Sequence, residues 1–138
     1  MHNDFTKNFN LFHVQATVTC LAITNDCYSI YAGFKNGLIN KYNISGVKLK
    51  SIKSYKRNSK KINSNNWPRG IAYCLALSYD DRFLVSSHQD HAIYIWDATN
   101  LKYLNVLLGH RGTVYGLAFQ SPTYQLFSCG ADCMVKAW

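Results

Sequence analysis

Apolar residues along this chain fall in short runs of strand length, divided by polar turns, and the pattern of runs repeats. Three segments share one core: Cys20-Leu21-Ala22-Ile23, Cys74-Leu75-Ala76-Leu77 and Gly116-Leu117-Ala118-Phe119. An aromatic closes each unit 22 residues after its core begins, at Tyr42, Trp96 and Trp138, and Asn36, Asp90 or Asp132 stands 16 residues after the same start. The units recur at spacings of 54 and 42 residues. In the third unit the runs are Val114–Phe119, Gln125–Cys129 and Met134–Trp138, split by Ser121-Pro122-Thr123 and Gly130-Ala131-Asp132. The second unit reads Ile71–Leu77, Phe83–Ser87 and Ala92–Trp96, and Lys102–Leu108 follows as a fourth run. No segment keeps a helical period, and residues such as Gly, Pro, Asn and Asp mark the turns.

Four short strands in about 40 residues describe one blade of a β-propeller. The chain is therefore expected to be all-β, with about three blades of an incomplete propeller. The expected divisions are 1–13 as the outer strand of a preceding blade (Phe9–His13), 14–54 as a degenerate blade, and 54–66 as an inserted loop. A blade over 67–108 follows, then one over 109–138 that lacks its fourth strand. Even small propellers have about four blades. An open arc exposes faces that blades normally bury against each other, so the chain is expected to belong to a larger propeller or to associate with a second copy.

Gly109-His110, together with Trp96-Asp97 closing the blade before it, resembles the Gly-His and Trp-Asp pair of the WD-repeat family. The resemblance runs from about Phe9 to Trp138 and is weakest in the first unit, where Tyr42-Asn43 replaces Trp-Asp. It implies that His110, Ser128, Asp132 and Trp138 form a hydrogen-bonded tetrad bracing the third blade, since buried polar groups need partners. The same residue types invite a reading as a nucleophilic triad. Geometry rather than residue type defines a triad, however, and no Gly-x-Ser-x-Gly turn surrounds Ser128. The second blade retains a partial tetrad of Ser86, Asp90 and Trp96 but has Pro68 where the His falls. The first has Asn36 for the Asp and Ala32 for the Ser. Both are expected to be less well braced. Cys129 with Cys133, and His88 with His91, lack a second ligand pair at zinc-site spacing, so no metal and no cofactor is expected.

The chain has 138 residues, 48% of them hydrophobic and 16% charged, enough to build a core. Its apolar runs stop far short of the roughly 20 residues that span a bilayer, and its polar start carries no secretory pattern. Five cysteines with no paired framework suit a reducing compartment. Lys and Arg number 15 against 7 acidic residues, all of them Asp. Seven of the cations crowd into residues 48–61: Lys48, Lys50, Lys53, Lys56, Arg57, Lys60 and Lys61. The rest of the chain is close to neutral, so the basicity is local. Within this run Ser54–Asn66 reads as a polar loop. Such a cluster attracts phosphate backbones, and Tyr55 and Trp67 can stack on bases. The bland alternative is that lysines on an outer strand keep a blade edge from pairing.

The order of features is also similar to that of the WD-repeat subunits of box C/D small nucleolar ribonucleoproteins. It runs through Val18-Thr19-Cys20-Leu21 and Gly46-Val47-Lys48-Leu49, then the Lys-rich insertion and Ile93-Tyr94-Ile95-Trp96. It ends in Gly109-His110-Arg111, Gly116-Leu117-Ala118-Phe119, Leu126-Phe127-Ser128 and Val135-Lys136-Ala137-Trp138. That resemblance implies a non-catalytic nucleolar scaffold whose partners are a small nucleolar RNA and the core proteins of its particle. RNA-binding candidates are Lys48, Lys50, Lys53, Tyr55, Lys56, Arg57, Lys60 and Lys61. The competing reading is an adaptor that binds proteins through its propeller faces, without RNA.

Overall fold

The computed structural model describes residues 12–52 and 68–138. Eleven strands form three antiparallel sheets, and within each the strands follow chain order. Blade one contains β1 (Val18–Ile23), β2 (Ser29–Phe34), β3 (Ile39–Asn43) and β4 (Lys48–Ser51). Blade two contains β5 (Ala72–Leu77), β6 (Phe83–His88), β7 (Ile93–Asp97) and β8 (Tyr103–Leu107). Blade three contains β9 (Val114–Phe119), β10 (Leu126–Gly130) and β11 (Val135–Ala137). The repeat extends to irregularities of pairing. Register shifts fall at Val18/Cys20 and again at Ala72/Cys74, and at Lys41/Tyr42 and again at Ile95/Trp96. Phe12 and His13 form no strand, which corrects the expected outer strand where it can be seen; Phe9 to Leu11 lie outside the described residues. Phe12 instead lays its ring 5.2 Å from that of Tyr42, where it covers apolar surface of blade one.

The core lies between blades. Tyr31 and Ile39 of blade one meet Leu75, Leu84, Tyr94 and Trp96 of blade two. On the other face of blade two, Val85 and Ile93 meet Val114 and Leu126. Covered on both faces, β6 is buried from Leu84 through His88, although its sequence does not alternate. β10 and β11 are covered on one face, so Phe127 and Val135 remain 38% and 73% exposed.

The blades present two chemically distinct ends. At one, here the upper end, the β2–β3, β6–β7 and β10–β11 turns meet the connections that enter each blade. Lys35 N donates to Thr17 O at 3.0 Å, Gln89 N to Ile71 O at 3.1 Å and Ala131 N to Thr113 O at 2.8 Å. The lower end carries the β1–β2, β5–β6 and β9–β10 turns together with the β3–β4 and β7–β8 turns.

The upper turns share one design. Asn36, Asp90 and Asp132 each accept the amide of the residue two further on, at 3.1, 3.3 and 3.2 Å. The residue between is left-handed in every case: Gly37 at φ 83°, His91 at 69° and Cys133 at 61°. His91 and Cys133 thus occupy a position that favours glycine, which costs an L-residue about 1–2 kcal/mol. His91→Gly and Cys133→Gly are each expected to raise stability by up to about 1 kcal/mol, read as the shift in urea midpoint. A loss of stability would show that either side chain contributes more than its backbone strain.

Candidate functional site

Blade three joins its four polar residues in one continuous chain. His110 Nδ1 donates to Asp132 Oδ2 at 2.8 Å, and His110 Nε2 lies 2.7 Å from Ser128 Oγ. Trp138 Nε1 donates to the same Ser128 oxygen at 2.8 Å. Asp132 also accepts the amides of Arg111 at 3.0 Å and Met134 at 3.2 Å. The Arg111 amide, with the His110 ring behind it, holds the Asp132 carboxyl down at about 2. Ser128 and His110 are 2% and 8% exposed, and the indole already occupies the serine oxygen. This serine is a strut rather than an accessible nucleophile.

Blade two is wired differently, which corrects the expectation that Pro68 leaves it poorly braced. Trp96 Nε1 donates to Ser86 Oγ at 2.8 Å, and the imidazole 3.0 Å from that oxygen belongs to His88, two residues along the same strand. Residues two apart on a strand share a face, so His88 reaches the serine along its own strand, from the upper end of β6, instead of from the entering connection. Asp90 is released from the chain; it accepts the Tyr94 hydroxyl at 2.8 Å and the Arg69 amide at 3.0 Å. The His88 ring is fully buried and lies edge-on to Tyr94 at 5.6 Å. Burial pushes this imidazole down to about 4, against the opposing pull of the Asp90 carboxylate. Blade one has Ala32 where the other blades place the serine, and its closing aromatic is paired without an imidazole. Asn40 Nδ2 donates to the Tyr42 hydroxyl at 2.9 Å, and Ser51 Oγ donates to Asn40 Oδ1 at 2.6 Å. Ala32 packs in the apolar cluster beside Tyr42, and Asn36 accepts the turn-capping amide of Leu38.

Among the described residues no three His, Cys, Asp or Glu side chains come together to hold a metal. His91 and Cys133 are left-handed turn residues, and the five thiols are free. Burial pushes the Cys20 thiol up to about 11 and raises that of Cys74 as well, so neither is a poised nucleophile.

Of the RNA-binding candidates, Lys48 and Lys50 lie exposed on the outermost strand β4. Lys53, Tyr55, Lys56, Arg57, Lys60 and Lys61 lie outside the described residues, as does Trp67. Their connection leaves β4 after Ser51 and enters β5 at Ala72, at the upper end. Three cations that the sequence reading did not single out stand at that end: Lys35, Arg69 and Arg111, all exposed. Arg69 and Arg111 hold equivalent places, each donating its amide to the turn aspartate of its own blade at 3.0 Å. The position directly after Pro68 and His110 was the available signal. The aspartates of this end, Asp90 and Asp132, are each held by hydrogen bonds within their blades.

Removing a brace has a defined consequence. Ser128→Ala leaves the Trp138 N–H and the imidazole without their shared oxygen, an expected loss of about 1–3 kcal/mol in urea unfolding. His88→Ala is expected to cost about 2–4 kcal/mol, because it adds a cavity to the lost bond. If His88→Ala were neutral, blade two would not depend on its substitute imidazole. The His88 shift also sets a pH dependence. The folded pKa lies below the ordinary 6.5, so the unfolded chain binds the proton more readily. Its stability contribution is complete above pH 6.5 and is lost as pH falls toward about 4. His88→Gln should flatten the melting temperature over that window, and an unchanged slope would assign the acid sensitivity elsewhere.

Comparison with known proteins agrees with this architecture. The family model "WD domain, G-beta repeat" matches residues 50–97 and 101–138. The human "U3 small nucleolar RNA-interacting protein 2" is 35% identical over 118 residues, which cover 83% of this chain and 24% of that protein. Two solved structures, titled "Crystal structure of RRP9 WD40 repeats" and "Structure of U3-55K", each superpose with a TM-score of 0.78 at 34% identity. Each match covers 93% of this chain and 37% of the solved one. The chain thus spans about a quarter of the length of the human relative. With the family model matching well over half of its residues and three antiparallel blades in place, the chain belongs to the WD-repeat family of β-propellers.

Proposed function

We propose that this chain is part of a non-catalytic scaffold that binds a small nucleolar RNA and its core proteins, and acts in processing the small-subunit ribosomal RNA precursor in the nucleolus. The observation that carries the reading is the gathering of cations at one end of the blades. Lys35, Arg69 and Arg111 stand where the Lys-rich connection departs and returns. Phosphate neutralisation by such a surface supplies affinity without base specificity, and core proteins of the particle would add the rest. The human relative is a U3 small nucleolar RNA-interacting protein by its own name, which supports the choice of RNA class.

The test uses the full-length protein, purified with its bound RNA over a salt series. Replacing Lys53, Lys56, Arg57, Lys60 and Lys61 with alanine is expected to lower RNA association at least ten-fold. The log-log salt slope should shrink by about 0.7–0.9 for each lost phosphate contact. Arg69→Ala with Arg111→Ala should weaken binding further. Wild-type protein that enriches no RNA at low salt would point to a protein-binding adaptor instead.

A further inference from the structure

The lower end offers a different chemistry. Tyr28, Tyr79 and Tyr124 stand there 70%, 41% and 46% exposed. The Tyr79 and Tyr124 rings lie 5.4 Å apart, and Tyr124 also packs edge-on against Phe83 at 5.4 Å. Asp26, Asp80, Asp81 and Asp97 gather at the same end. Their collective field is felt at Tyr31, whose hydroxyl is pushed up to about 12 by burial, with Asp81, Asp97 and Asp26 adding to it.

Turns from the three blades are tied together here. Asn25 N donates to Asp81 Oδ2 at 2.8 Å, and Asn25 Nδ2 donates to the Tyr79 carbonyl at 2.8 Å. The Tyr124 hydroxyl donates to Asp80 Oδ2 at 2.6 Å. Hydrogen bonding by Thr24 and the Tyr28 amide lowers the Asp26 carboxyl. Asp80 is lowered too: its burial opposes this but is outweighed by bonds from Tyr124, Ser78 and the Arg82 amide. All these donors are neutral. Among the described residues no Lys or Arg forms an ion pair with Asp26, Asp80 or Asp81.

Between the turns opens a cavity of about 320 Å³. Ala22, Leu77 and Phe119, from the inner strands of three blades, supply apolar walls, and Asp81 is the one charged side chain among those lining it. Polar groups of Asn25, Ser78 and Ser121 line the rest, so the recess suits an aliphatic stem along its apolar walls that ends in a cation able to donate hydrogen bonds beside Asp81. Flanking tyrosine faces favour guanidinium, which stacks on aromatic rings and sheds water more readily than ammonium. The carboxylates that attract such a group repel phosphate.

We propose that the lower end docks a basic segment of a partner protein, with one arginine side chain entering the cavity beside Asp81 and neighbouring residues lying across Tyr79 and Tyr124. Tyrosine-rich, preordered patches of this kind concentrate binding energy in few contacts. This surface is independent of the basic upper end and of any RNA bound there.

The test measures fluorescence anisotropy of a labelled peptide carrying Arg-Arg between leucines, against its citrulline counterpart, on the full-length protein. Citrulline keeps the shape and removes the charge. The native protein is expected to bind the arginine peptide at least about ten-fold more tightly. Asp81→Asn should erase that preference. Asparagine tolerates the φ of 57° at this position and keeps an oxygen for Asn25, so the melting temperature should hold. If Asp81→Asn does destabilise the protein, Tyr79→Ala becomes the deciding variant and should weaken the arginine peptide several-fold. Equal binding of the two peptides, no binding of either, or an unchanged preference in the variant would each overturn the proposal. So would loss of RNA binding on Asp81→Asn, which would place the nucleic acid at this end.

Discussion

Everything in this molecule depends on contact between the faces of neighbouring sheets. A single four-stranded blade cannot bury its own apolar surface; it becomes stable only when another blade covers it. Trp96 shows the dependence directly. Its indole is fully buried, yet much of what covers it comes from blade one, through Tyr31, Ile39 and Ile52. The same contact explains why blade two reads differently from blade three. With both faces covered, β6 has no solvent side and keeps no polar alternation, whereas β10 alternates buried and exposed positions.

Within each blade, the constant requirement is a hydrogen-bond partner for the closing aromatic, and the route to it varies. Blade three draws the imidazole from the entering connection. Blade two draws it from its own strand and hands the turn aspartate to Tyr94. Blade one replaces the indole with a phenol and satisfies it through Asn40. The three solutions differ in residues but not in principle, since each leaves the closing ring's polar atom paired inside an apolar layer.

Most of the strands were legible in the sequence because short apolar runs between turn residues survive any tertiary context. β9 falls on the bounds its apolar run marks, Val114–Phe119. The third blade's four polar residues were legible only through family resemblance, since nothing local ties His110 to Ser128 across 18 residues. The brace of blade two was missed for a related reason. Attention went to Pro68, in the entering connection where the family places its histidine, and not to the strand. The signal lay in Ser86-Ser87-His88, where the first and third residues share a face. The three upper-end cations were missed because they are scattered in sequence, at 35, 69 and 111, and only the stacking of equivalent turns brings them to one end.

That stacking also accounts for the separation of charge between the two ends. A turn aspartate at the upper end is engaged by its own blade: Asp90 and Asp132 cap backbone amides and accept side-chain hydrogen bonds, while Arg69 and Arg111 are exposed residues of the same end. At the lower end the arrangement is reversed. The carboxylates of Asp80 and Asp81 are held by neutral donors, and exposed tyrosines stand among them, with Arg82 and Lys102 exposed at the same end. Because each blade repeats the same turn geometry, a substitution that is harmless in one turn adds to its equivalents in the neighbouring turns. Arg69 and Arg111, at equivalent places in two blades, are such a pair. A propeller assembled from such units can hold a polyanion on one end and a cationic protein segment on the other. Their fields add little to each other across the thickness of the blades, which is greater than the screening length of about 8 Å at physiological salt.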